Sequence, residues 1–492
     1  MSPLRVVHVS WGFSPWLGGG LVAYVEGLME AQAARGHEVA FFGAARHHPL
    51  RRRPAVHRWR RRGVTMYELL NSPLPQHWAA GTLRPEADLS EPWTEQAFER
   101  VLEERRPDIV HFQHVAGVPS SLLGIARAAG ARVVVTLEDY VLLCPTLKLL
   151  DIDGRICLRD DVGEQCARCC SYAPAGAEHL VGATVRYELM RLKRAVPGVR
   201  RMTFATAGPL LAAAAGRVVG LQGGPPAEPA PAPRVQAPPS AYQRRREVNV
   251  ARLDEADLLI AQSPRLAEIH RELGVTADLR ALRHTLPHIE RLRPRQLHAP
   301  PRPVTFATLN GCQSPAKGAH VVVDAVRRLL DAGYGGRFRL LVLGQVERAL
   351  EGTLERLEGV EQRGVYESAD LDALLEPVDV GLVPSIWEEA YGYVGLEFLA
   401  KGIPVIGSAL GGIVEYVQDG STGWLNRSAG PAELAQLMAT AIDDAREVVR
   451  LHRAIVERRD ELILPMARHV DDVDRAYDEV LTPPARVAPA AR

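Results

Sequence analysis

The chain has 492 residues, 47% hydrophobic and 24% charged, with 59 Lys and Arg against 59 Asp and Glu. These are values of an ordinary globular protein with room for two or three cores, and a formal net charge of zero removes the global field of a nucleic-acid binder. No export signal opens the sequence, and no uninterrupted apolar run reaches the roughly 18–20 residues that span a bilayer. The expectation is a cytoplasmic protein, with peripheral contact at the inner face of the membrane left open.

Near-continuous apolar, β-branched runs read as parallel strands buried on both faces. In chain order they are "LRVVHVS" (4–10), "HEVAFFGA" (37–44), "PDIVHFQHV" (107–115), "ARVVVTLED" (131–139) and "ADLLIAQS" (256–263). The first is followed by "LVAYVEGLMEAQAARG", whose apolar residues recur at helical spacing and which closes on Gly36. The basic run 46–62, "RHHPLRRRPAVHRWRRR", has two readings: a contact for an anionic membrane surface or a lipid-diphosphate acceptor, or a solvated loop. The Pro/Ala tract within 171–248 reads as a flexible insertion.

A second block starts after the Pro-rich stretch near 292–302. Its strands are "VTFATL", "FRLLVLG", "VEQRGVY", "VDVGLVPS", "IPVIGS" and "GWLN", with helices between them such as "YVGLEFLAKG". Alternating β and α in two blocks predicts an α/β protein with two Rossmann-like, parallel-sheet domains facing across a cleft. The expected division is 1–291 as an N-terminal domain, including a Cys-rich segment at 144–170 and the insertion at 171–248. A C-terminal domain follows at 302–455, then a helix at 456–480 returning to the N-terminal domain, and a disordered tail at 481–492.

The chemistry concentrates in "PSIWEEAYGYVGLEFLAKGIPVIGSALGG", 384–412. Glu389 and Glu397 bracket seven residues. A carboxylate on the helix, Glu397, suits the two hydroxyls of a ribose, and Glu389 in the preceding loop suits sugar hydroxyls. Backbone N–H groups of Tyr393, Val394 and Gly395 at a helix start favour phosphate oxygens. Gly411 and Gly412 offer a second close backbone approach. Lys317, in the loop after the first strand of this block, would offset diphosphate charge, and Asn310, beside Gly311, joins it on the donor side. Glu388 reads as a solvated neighbour of Glu389.

With these residues in place, the chain resembles the family 4 glycosyltransferases of the GT-B fold. "EAYGYVGLE" matches that family's E-x7-E element and "AKG" its diphosphate-binding lysine loop. "GGG" (18–20), "GHEV" (36–39), "PDIVHFQH" (107–114) and "TLEDYVLLCP" (136–145) match its N-terminal half. The resemblance implies a nucleotide-sugar donor (UDP-, GDP- or ADP-linked) in the C-terminal domain. It places a glycan, lipid-linked or small-molecule acceptor in the N-terminal one. It also implies retention of anomeric configuration, no metal required for catalysis and no nucleic-acid partner. Glu389, Lys317 and Glu138 become the catalytic candidates, Gly19 and Gly20 join the donor side, and His111 and His114 join Glu138 on the acceptor side, both histidines placed after their strand. Two positions depart from the family: Glu138 stands where it has histidine, and Gly311 where it often has arginine. A non-catalytic nucleotide-sugar-binding relative and a GT-B sugar-nucleotide epimerase are the alternatives.

Cys144, Cys157, Cys166, Cys169 and Cys170 include a C-x2-C element, which suits a tetrahedral structural zinc. Unligated buried thiols are the other reading. "DIDGR" at 151–155 resembles a metal-binding D-x-D but reads better as a hairpin turn.

Overall fold

A computed structural model describes residues 3–48, 50–51, 53–74, 80–173, 178–195 and 237–482. The apolar run at 202–216, most of the Pro/Ala tract and the tail from 483 lie outside the described residues. Packing divides the described chain into two compact units. One comprises residues up to Val135 with 141–147 and 161–257; the other comprises 136–140, 148–160 and 258 onward. The break at Asp257 falls ahead of the 292–302 stretch at which the sequence places the boundary.

The first sheet has eight strands in the order β3-β4-β2-β1-β5-β6-β7-β8. They are β1 (Arg5–Val9), β2 (Glu38–Ala44), β3 (Ala55–Arg61), β4 (Val64–Leu70), β5 (Ile109–Phe112), β6 (Arg132–Leu137), β7 (Leu258–Ala261) and β8 (Leu279–Ala281). The five expected strands are present, and β1 lies parallel between β2 and β5. Helix α1 (Gly20–Ala34) buries Val22, Tyr24, Val25, Leu28 and Met29, the helical stripe read from the sequence.

The second part of the basic run, from Ala55, is not a loop but strand β3. β3 pairs antiparallel with the fully buried β4 and forms the edge of the sheet. The connection is Arg62-Gly63, with φ of 44° and 85°, the two positive values that a tight two-residue hairpin requires. The arginine-rich face hid the strand. Charged side chains along an edge suit that position because they discourage pairing with another sheet. Three arginines of the hairpin pair with glutamates: Arg58 with Glu104, Arg61 with Glu26 and Arg62 with Glu30, each at 2.9 Å. Arg46 is buried and clasps Glu68 through Nε at 2.5 Å and Nη2 at 2.7 Å, while Nη1 reaches Glu188.

The second sheet has six parallel strands, each where the sequence puts one: β9 (Val304–Leu309), β10 (Phe338–Leu343), β11 (Val360–Gly364), β12 (Val380–Val383), β13 (Val405–Ser408) and β14 (Gly423–Asn426). Their order is β11-β10-β9-β12-β13-β14, that is 3-2-1-4-5-6 counted from β9. Strand β9 is buried throughout, and Phe306, Val322, Val326, Leu340 and Val380 share one core. At the C-terminal end, helix Met466–Leu481 sets His469 Nδ1 2.8 Å from the carbonyl of Arg283 and pairs Glu479 with Arg280. No helix among the described residues is long and apolar enough to cross a membrane.

Candidate functional site

In an open parallel sheet, ligands bind beyond the carboxyl ends of the strands where the strand order reverses. Here that point lies between β9 and β12. The loops that leave these two strands, 310–318 and 384–392, touch backbone to backbone. Ile386 N–H donates to the Ala316 carbonyl at 3.0 Å. Gly318, at φ 85°, lies so close to Pro384 that an added Cβ would stand 2.0 Å from its carbonyl oxygen. The contact brings Lys317 Nζ to 2.6 Å from Glu389 Oε1, and Ser385 Oγ donates to the same oxygen at 2.6 Å. The ammonium also stands over the Trp387 ring, 5.4 Å from its centre. One-third exposed, Lys317 is a cation held at a sheet edge by a carboxylate and an aromatic face.

Glu397 lies on the helix that follows, Tyr393–Ala400. It is buried, and His288 Nε2 sits 2.6 Å from its Oε1, while Oε2 has no hydrogen-bond partner. One oxygen is fixed and the other is unmatched within the protein. Nearby, Asn310, at φ 58°, donates to the Tyr366 hydroxyl at 3.2 Å. Burial, and then the charge of Glu397, push the Tyr366 phenol above its ordinary range. Trp387 Nε1 and Thr308 Oγ1 are also buried without a partner.

The glycines have a different cause from the one the sequence suggests. The helix starts after Gly392, at φ 79°, and no side chain caps it, so Tyr393 and Val394 present the first amides. The Gly395 N–H, however, already donates to the Gly392 carbonyl at 3.0 Å. A Cβ at Gly395 would fall 2.0 Å from the Tyr416 ring. Gly411, at φ 56°, and Gly412 pack against the backbone of 388–391, and Gly412 N–H donates to Glu389 O at 2.8 Å. Glu388 is not a solvated neighbour: it is buried, accepts the Gly411 N–H on Oε2 at 2.6 Å and pairs through Oε1 with Arg265 at 3.2 Å. It ties the β12 loop to the β13 loop.

Glu138 follows β6 and Gln262 follows β7. Gln262 Nε2 donates to Glu138 Oε2 and lies 3.1 Å from the Tyr393 hydroxyl, at the start of the Glu397 helix. Glu138 Oε1 is buried with no partner. Burial holds this carboxyl well above the usual range, and neighbouring Asp139 pushes the same way against the Gln262 hydrogen bond.

Sequence comparison gives two family matches: residues 303–444 to "Glycosyl transferases group 1" and 19–159 to "Glycosyl transferase 4-like domain". The chain belongs to the family 4-like glycosyltransferases. A putative colanic acid biosynthesis glycosyltransferase, WcaL, of Escherichia coli K12 is 30% identical over 41% of this chain and 52% of its own. A D-inositol 3-phosphate glycosyltransferase of Corynebacterium glutamicum is 31% identical over 30% of this chain and 37% of its own. The chain thus spans about half, or less, of the curated relatives it matches. Among solved structures, sucrose-phosphate synthase of Thermosynechococcus elongatus aligns over 96% of this chain and 98% of that one, at TM-score 0.59 and 16% identity. Anabaena HepE in complex with UDP and glucose aligns over 96% and 99%, at 0.56 and 14%. At these identities the likeness shows the fold, which is GT-B.

Within this family member, the second unit carries Lys317, Glu389, Glu397, Asn310, Tyr393, Val394 and Glu138. The first unit keeps Gly19, Gly20, His111 and His114. Gly20 is the first residue of α1, behind Gly19 at φ 109°. His111 lies inside β5 rather than after it, fully buried, with Gln113 Nε2 3.1 Å from its Nδ1. His114 is buried against Trp11, and its Nδ1 accepts the Ala116 N–H at 3.0 Å. Sequence reasoning missed His288, Gln262, Arg265 and Trp387. Only Arg265 had a local signal, at a helix start marked by capping Ser263 and then Pro264.

The cysteine reading also changes. None of the five is joined in a disulfide, and among the described residues no group of three or more His, Cys, Asp or Glu is placed to hold a metal. Cys166 and Cys170 pack with Val162, Ala167 and Tyr242 in a small core. Burial raises the Cys166 thiol and pushes Cys170 up to about 12. The residues do not fit a structural zinc. "DIDGR" is a turn: Asp151 accepts the N–H groups of Asp153 and Arg155 at 3.0 and 2.9 Å.

Proposed function

We propose that this chain is a retaining, metal-independent hexosyltransferase, using a nucleotide-sugar donor and a glycan, lipid-linked or small-molecule acceptor. The observation that supports it most is the meeting of Lys317, Glu389 and half-satisfied Glu397 beyond β9 and β12. Glu397 Oε2 receives a ribose hydroxyl, with His288 holding the other oxygen. Lys317 and the amides of Tyr393 and Val394 take the diphosphate. Glu389 orders Lys317 and receives sugar hydroxyls. The acceptor hydroxyl attacks the anomeric carbon on the face from which the diphosphate departs. Its oxygen forms the new glycosidic bond, the bond to the diphosphate breaks, and the hydroxyl proton passes to a diphosphate oxygen.

Solved relatives of this fold carry UDP and glucose or UDP-2-fluoro-glucose, so uridine diphosphate hexoses are the first donors to test. Release of nucleoside diphosphate reports turnover. Lys317→Ala is expected to cut it by roughly 10²–10³, the loss typical of removing one group that stabilises developing charge. Unchanged turnover in both Lys317→Ala and Glu389→Ala would overturn the proposal.

A further inference from the structure

The environment of Glu138 carries an inference beyond its position. An amide nitrogen has two protons to donate. Both of those on Gln262 Nε2 have acceptors within the protein: Glu138 Oε2 and the Tyr393 hydroxyl. Gln262 is itself buried, so its orientation is fixed. Oε2 of Glu138 is therefore an acceptor and has no need of a proton of its own. Oε1 has no protein partner and no exposed surface. An ionised oxygen in that position would be a buried charge without a donor, the costliest arrangement for a polar group. The charged neighbour that acts on this carboxyl is Asp139, of the same sign.

We infer that Glu138 meets its ligand as a neutral carboxylic acid: Gln262 holds Oε2, and the O–H on Oε1 donates to a hydroxyl oxygen of the bound sugar. The choice of a sugar as ligand rests on the glycosyltransferase reading; the protonation does not. The arrangement removes the conflict that a glutamate at this position raises. An acid without charge does not repel the departing diphosphate. Burial and Asp139, which lift this carboxyl above its ordinary range, act in the same direction.

The first readout needs no ligand. A carboxyl whose folded-state affinity for protons is raised adds stability that is complete below its unfolded value, near 4.5, and is lost as pH rises toward its folded value. Glu138→Gln is nearly isosteric and cannot ionise. Thermal unfolding of the full chain at pH 5 to 9 should show this variant gaining on wild type, with a gap that widens by about 2 °C or more across the range. A gap that stays flat with pH overturns the neutral acid.

The second readout is turnover of a nucleotide-sugar. An amide at 138 keeps a donor where the acid has one, so Glu138→Gln should exceed Glu138→Ala by roughly tenfold or more. A widening stability gap with equal turnover in the two variants overturns the sugar contact and leaves a buried structural acid. If the wild type turns over no nucleotide-sugar at all, the sugar contact falls with the functional reading, while the stability gap still decides the protonation.

Discussion

The arginine-rich hairpin of the first sheet and the glutamate-bearing loop after β12 both draw the eye in sequence, but they commit their charge differently. Along the basic run, Arg46, Arg58, Arg61 and Arg62 each meet a glutamate at hydrogen-bond distance, and the buried atoms left unmatched there are ring nitrogens of His48 and Trp59 rather than carboxylate oxygens. Around the loop, Lys317 and His288 each hold one carboxylate, Arg265 pairs with Glu388, Glu268 and Glu272, and two carboxylate oxygens, Glu397 Oε2 and Glu138 Oε1, remain unmatched together with Trp387 Nε1. Charge density alone does not mark a ligand site. A buried polar group costs stability unless something meets it, so an unmatched one at a sheet's carboxyl edge points to an absent partner.

Substitutions can break this contrast. The largest effect on stability is expected at Arg46. Removing it leaves buried Glu68 with His57 Nδ1, 3.4 Å away, as its remaining partner, and removing one side of a buried pair typically costs about 3–5 kcal/mol. Arg46→Ala should therefore lower the denaturation midpoint strongly in chemical unfolding, while donor affinity of the remaining folded protein stays unchanged. If affinity falls with it, the hairpin is part of the site and the contrast fails. A smaller effect is expected at Gly395. A methyl there meets the Tyr416 ring, and overpacking of this kind costs about 1–3 kcal/mol. Combining Gly395→Ala with Tyr416→Phe does not remove the clash, because the nearest atom is the ring carbon Cε2 rather than the hydroxyl. Combining it with Tyr416→Leu should relieve it, as measured by thermal unfolding. Full stability of Gly395→Ala alone would show that the glycine serves phosphate approach instead.

The second sheet was legible almost strand by strand, because each run is apolar on both faces and bounded by turn residues. The first sheet was legible except where charge masks a strand: β3 is an edge, and its exposed arginines conceal a pairing that only the buried β4 reveals. The candidate site was legible where its residues lie in short local patterns. Glu389, Glu397 and Lys317 lie in recognisable spacing. Glu388 was misjudged because spacing says nothing of burial, and Arg265, its partner, is 123 residues away. His288 lies 109 residues from Glu397 and Gln262 lies 124 from Glu138. Such pairs depend on which strand ends the topology brings together. The cysteines show the opposite error, since a ligand-like spacing proved to be packing between two helices, Gly163–Cys169 and Pro239–Asp254.

The central claim is that the free oxygen of Glu397 belongs to a nucleotide-sugar. Ligand bound to the folded state raises the melting temperature by mass action. A panel of UDP-, GDP- and ADP-hexoses should therefore be titrated against wild type and Glu397→Ala in thermal unfolding. The account predicts that one nucleotide class raises the wild-type Tm and leaves Glu397→Ala unmoved. Equal shifts in the two proteins, or no shift from any donor in wild type, would contradict it.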